Sequence, residues 1–186
     1  TTKTTIEGAA RGGRVREEGR LRVVRIGHHV RRIDFGDGEK SAMTIPWGDL
    51  ATAFVTTGIP NIEVFTATSP RRIAAARRVH LFRAVLGLAP VQRFLKSRAG
   101  RVRGPDARQR DGRPTFVWGE VRNAAGSVKT ARIKVANGYS ITATGALAVV
   151  DFVLTRRPAP GAYTPSLLCG ADFVTDLPGS GPLLIG

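Results

Sequence analysis

Two hairpin signals and three helical stretches predict an α+β fold, an open and mainly antiparallel sheet with helices packed on one side. The first signal is Gly36-Asp37-Gly38 between the alternating runs Val30 to Phe35 and Glu39 to Ile45. The second is Ala124-Ala125-Gly126 between Phe116 to Arg122 and Lys129 to Val135. Turn residues flanked by alternating apolar positions predict that each pair of runs folds back on itself. The helical stretches are Leu50 to Thr57, Pro70 to about Leu86, and Tyr139 to Leu154. At 186 residues such a domain can bury roughly 70 % of its unfolded surface, and a single domain over 1–186 is expected.

In chain order, Thr1 to Gly12 reads as a helix with Ile6, Ala9 and Ala10 on one side, ended by Gly12-Gly13. Its threonines are poor helix formers but good hydroxyl donors, which makes Thr2 and Thr5 candidate substrate contacts. Arg14 to Arg25 carries both charge signs and then Leu21, Val23 and Val24, and is read as a loop entering a strand. His28 and His29 follow; as neighbours on a strand they would point to opposite faces and could not easily share a metal ion.

The stretch Ser41 to Phe65 organises the prediction. An apolar lead-in reaches Pro46, Trp47 and Gly48, and Asp49 is placed to cap the helix Leu50 to Thr57, accepting from its unpaired first-turn amides. Gly58 stops that helix and Pro60 bars its continuation, before a strand with Ile62, Val64 and Phe65. Trp47, Asp49, Thr56, Thr57 and Asn61 are thereby expected at the ends of packed elements, where clefts are commonly built.

Ser69 and Pro70 open the next helix as cap and first residue, with Ile73, Ala76, Val79 and His80 opposite paired arginines. Gly87 ends it, and Pro90 starts a short helix, Val91 to Ser97. The stretch 99–113, rich in Gly, Pro, Arg and Asp, has almost nothing to bury and is expected to be a loose connection. After the second hairpin, Tyr139 to Leu154 is apolar on most faces and is expected to be the central buried helix. A Pro-rich hinge from Arg156 to Gly161 leads to Tyr163, Thr164 and a short helix from Pro165 to Cys169, ended by Gly170. Asp172 to Leu177 is read as a last strand.

Composition restricts the function classes. No apolar run reaches the roughly 20 residues that a membrane span requires. One cysteine, Cys169, provides neither a disulfide framework nor a thiolate cluster for zinc, and a cytoplasmic setting is the simplest expectation. The chain opens at Thr1 without an initiator methionine, so a piece of a longer protein is expected. The net charge of +15 is concentrated: thirteen Arg and Lys against Asp106 and Asp111 lie between Arg71 and Arg113. A nucleic-acid footprint would pair that stripe with a reading element or stacking aromatics, and none is interleaved with the arginines.

The chemistry-bearing motifs are missing. There is no G-x-G-x-x-G between a strand and a helix, no G-x-x-x-x-G-K-[ST], and no serine on a G-x-S-x-G elbow. The residues alone read as a domain with a polar cleft and no reactive group of its own.

Three segments, IPWGDLATAFVTTGIPNIEVF, FVWGEVRNAAGSVKTARIKVANGYSITATGALAVVDFVL and GAYTPSLLCGADFVTDLPG, taken in order and spacing, resemble the second domain of the saccharopine dehydrogenase-like oxidoreductases, a group that includes relatives of trans-acting enoyl reductases. The resemblance implies an upstream Rossmann domain that binds NAD(P), a homodimer, and a small substrate that is amino-acid-like or acyl. It implies that this chain supplies the far wall of the substrate cleft, binds no cofactor alone, and is not catalytic alone. The position-based substrate contacts are Thr2, Thr5, Trp47, Asp49, Thr57, Asn61, Tyr163 and Thr164. Two other readings compete: a basic nucleic-acid-binding module, testable by its salt dependence, and an acyl-chain or lipid carrier.

Overall fold

The computed structural model describes residues 12–82, 86, 88–99 and 114–186. The expected opening helix, with Thr2 and Thr5, and the stretch 100–113 lie outside the described residues. The class is α+β, with antiparallel sheets. The strands fall into three small sheets, β1-β2, β3-β4-β5 and β6-β7-β8. The chain divides into two compact units, Thr1–Ile33 with Lys40–Gly104, and Asp34–Glu39 with Pro105–Gly186.

In the first unit, the segment read as a loop is a hairpin, β1 (Gly13–Glu17) and β2 (Arg20–Val24), in the register Arg16↔Leu21. Its two-residue turn has φ +50 at Glu18 and +75 at Gly19, the pair of positive values that a reversal matching the strand twist requires. Glu-Gly is not the usual spelling of that turn, which is why the charges read as a loop. β3 (Val30–Asp34) and β4 (Glu39–Thr44) form the predicted hairpin, and β5 (Phe65–Ala67) joins β4 with Thr44 opposite Phe65. The strand expected from Ile62 therefore begins three residues later, and Ile62 makes a single bridge to Arg16 instead.

Helix α1 (Asp49–Thr57) ends at Gly58 as predicted, with φ +69 and its N–H donating to Phe54 O at 2.8 Å. Its start corrects the prediction: Gly48 holds the cap position, no side chain caps it, and Asp49 is the first helical residue. Helix α2 (Pro70–Leu81) starts as read, the Arg72 N–H donating to Ser69 Oγ at 3.4 Å, and α3 (Ala89–Ala99) follows. Val15, Ile33, Ala42, Leu50 and Ile73 are buried here.

In the second unit, β6 (Thr115–Arg122) and β7 (Val128–Val135) pair along their full length, from Thr115↔Val135 to Arg122↔Val128. Gly126 takes φ +84 in the turn. The short β8 (Leu184–Ile185) extends this sheet beside Ala131 and Arg132. Ile133, Val135 and Leu177 are buried. Helix α4 (Gly138–Arg156) is opened by the Asn137 side chain, which accepts from the Tyr139 N–H at 3.0 Å. Helix α5 (Pro165–Cys169) packs against a 3₁₀ helix over Ala171–Asp176. That 3₁₀ helix replaces the expected strand: Gly170 at φ +96 turns the chain, and Thr175 Oγ1 donates back to the Asp172 carbonyl at 2.6 Å.

Helix α4 also corrects its prediction, because none of its residues is buried. Its inner row, including Ile141, Gly145, Ala148 and Phe152, is half-exposed or better covered, and Gly145 lets it approach Leu177. The outer row shows Leu147 at 70 %, Val150 at 54 % and Leu154 at 72 % exposure. By length and composition alone α4 would suffice to cross a membrane, which the sequence reading did not anticipate. A helix apolar on most faces is therefore not fully covered by the described residues.

Candidate functional site

A buried arginine, Arg16, holds α1 against the β1–β2 hairpin. Arg16 is 8 % exposed on β1, beside Val15 at 1 %. Its Nε donates to the Leu50 carbonyl at 2.6 Å, its Nη1 donates to the Gly19 carbonyl, and its guanidinium lies 4.2 Å from the centre of the Phe54 ring. The backbone of Arg16 exchanges hydrogen bonds of 3.0 Å with Ile62 in both directions. One side chain thus ties the β1–β2 turn to the start and middle of α1. A desolvated charge is tolerated there because carbonyl dipoles and an aromatic face replace water.

Around this knot, Asn61 Oδ1 accepts from the Glu18 N–H at 2.9 Å, which holds the turn where Glu18 sits at positive φ. Thr57 Oγ1 donates to the Ala53 carbonyl at 2.7 Å and accepts from the Ile59 N–H at 3.2 Å, closing the end of α1. Trp47 is 63 % exposed, with Pro46, Gly48 and Asp49 also exposed beside it. Of the four predicted contacts described in this unit, Asn61 and Thr57 serve the backbone, whereas Trp47 and Asp49 are exposed. Tyr163 and Thr164 belong to the second unit. The Tyr163 hydroxyl donates to the Ala159 carbonyl at 3.0 Å, and Thr164, 8 % exposed, caps α5 by accepting from the Leu167 N–H at 3.4 Å.

The sequence reading missed a pair of ionisable side chains. His29 Nδ1 lies 2.6 Å from Glu63 Oε1, and the His28 and His29 rings stand 4.2 Å apart. The expectation of opposite faces fails because the histidines precede β3 rather than lie on it; Gly27 at φ +64 turns the chain just before them. That glycine was the available signal. A carboxylate on Nδ1 orients the ring and leaves Nε2 as the nitrogen able to exchange a proton with a ligand. Among the described residues no group of three His, Cys, Asp or Glu could hold a metal ion.

An open depression of about 470 Å³ is lined by Lys40, Ser41, Ala67, Thr68, Ser69 and Pro70, where β4 and β5 meet the start of α2. None of the predicted contacts lines it. No protein-family model matches the chain, and no curated protein matches it significantly.

Proposed function

We propose that this chain is the substrate-binding and dimerisation domain of a saccharopine dehydrogenase-like NAD(P)-dependent oxidoreductase, inert without a dinucleotide-binding half. The observation that carries the reading is the outer row of α4. Leu147, Val150 and Leu154 expose an aliphatic stripe on a helix in which no residue is buried. Burying such side chains is worth about 1.5–3 kcal/mol each, so a partner surface is the natural destination for that face. All but the last two residues of the same helix lie within the longest of the three segments that resemble the family. Hydride transfer needs the nicotinamide held against its substrate from both sides, the cofactor carrying the chemistry and the protein the alignment.

In this reading the exposed Trp47 and Asp49 form part of the substrate wall, and the His29–Glu63 pair provides a proton-exchanging nitrogen on the same unit. The substrate is small, amino-acid-like or acyl, and the setting is cytoplasmic. The test is NADPH titration followed by fluorescence, on this chain and on the complete product of its gene. The complete product is expected to bind and this chain is not. Tight binding by this chain alone, or a complete gene without a dinucleotide-binding segment, overturns the proposal.

A further inference from the structure

We infer that the outward face of α2, with the exposed Phe82 at its end and the exposed Leu88 before α3, is a docking surface for an anionic lipid bilayer. The starting observation is a charge imbalance that solvation does not explain. Between Glu63 and Asp106 the sequence contains ten Arg and Lys and no carboxylate. Solvated helix faces ordinarily mix signs, because Glu and Lys three or four residues apart stabilise each other and like charges repel. On α2, Arg71, Arg72 and Arg78 are all exposed and make no ion pair among the described residues. Arg77 differs, donating through Nε and Nη2 to the Gly27 carbonyl at 3.2 and 3.0 Å, which anchors the helix.

The second observation is what stands between the free cations. Ile73, 6 % exposed, marks the inward side of α2. At about 100° per residue, Ala75, Val79 and Phe82 project on the opposite side, with Arg71 and Arg78 along one flank and Arg72 along the other. Phe82 is 63 % exposed, Val79 39 %, and Leu88, just before α3, 55 %. An apolar stripe flanked by arginines is the arrangement of a helix that lies in the plane of a bilayer. The apolar side chains enter the acyl boundary and the arginine stems reach up to headgroup phosphates. Charge complementarity selects an anionic surface, and the aliphatic Val79 and Leu88 favour lipid over nucleic acid, since neither can stack on a base. This surface is independent of the cofactor assignment: it needs no dinucleotide and none of the α1 residues.

The experiment is co-sedimentation of the 186-residue chain with phosphatidylcholine vesicles that contain or lack phosphatidylserine, with mixed-sequence RNA as competitor. Binding is expected only to the phosphatidylserine vesicles. R71Q/R72Q/R78Q should weaken it on the order of 100-fold, roughly fivefold per arginine. F82S/L88S should weaken it severalfold with all charges retained. Both variants alter exposed positions, and an unchanged circular-dichroism melt shows that they fold. Absence of binding to phosphatidylserine vesicles at low salt overturns the inference. So does RNA that displaces the vesicles and binds F82S/L88S as tightly as the parent, which would make the face a nucleic-acid surface.

Discussion

The guanidinium of Arg16 sits 4.2 Å from the centre of the Phe54 ring while its Nε donates to the Leu50 carbonyl at 2.6 Å, so a charged residue occupies a core position of the first unit. Replacing it with methionine keeps the packing volume but leaves the Leu50 and Gly19 carbonyls without their donor. The expected cost is about 2–4 kcal/mol, read as a shift in urea midpoint. Arg16→Lys should cost nearly as much, because an ammonium cannot reach two carbonyls in a planar fork while covering the ring. A lysine variant as stable as the parent would show that the charge alone matters.

Glu18 holds φ +50 next to Gly19 in the β1–β2 turn. Asparagine tolerates that conformation better, so Glu18→Asn is expected to stabilise the chain by about 0.5–1 kcal/mol. The lost ion pair with Arg22 is exposed and contributes little. The thermal midpoint should rise by a few degrees. Asn61→Ala, which removes the acceptor for the Glu18 N–H, should lower it, whereas Asn61→Asp should nearly restore it.

These two residues also show what local sequence could and could not reveal. The β3–β4 and β6–β7 hairpins, the C-terminal end of α1 and both ends of α5 were legible because a glycine, or a threonine followed by proline, does the same local job in any context. The β1–β2 hairpin was not, because Glu-Gly is an uncommon spelling of its turn and, Gly19 apart, the partners that bury Arg16 lie 34 residues or more away. Helix α4 was legible as a helix but not in its burial, since apolar composition states a preference for cover and not whether this chain supplies it. The His29–Glu63 pair depends on a contact between distant segments that no local pattern encodes. Of the predicted substrate contacts, Thr57, Asn61, Tyr163 and Thr164 bond to backbone, as residues at element ends commonly do.

Gly179 has φ +83, and a Cβ there would lie 2.9 Å from the Cβ of Ala136. Gly179→Ala must therefore strain the backbone and displace the end of β7 at once. A loss of about 2–3 kcal/mol is expected, again from urea unfolding. Gly126→Ala, at similar φ but with open space around it, should cost only the conformational part.

Leu147 and Leu154 are exposed at 70 % and 72 %. L147E/L154E should accordingly leave the stability of this chain within about 0.5 kcal/mol. On the proposed function, the same pair in the complete gene product should disrupt assembly, seen as a change in mass by light scattering and a loss of reductase activity. A marked destabilisation of this chain alone would mean that the face is already covered.

The most direct test of the central claim is NADPH titration of this chain beside the complete product of its gene. Saturable binding by the complete product, with none by the 186 residues alone, is the predicted result. Comparable binding by both, or by neither, would contradict the assignment of this chain as one half of a dinucleotide-dependent enzyme.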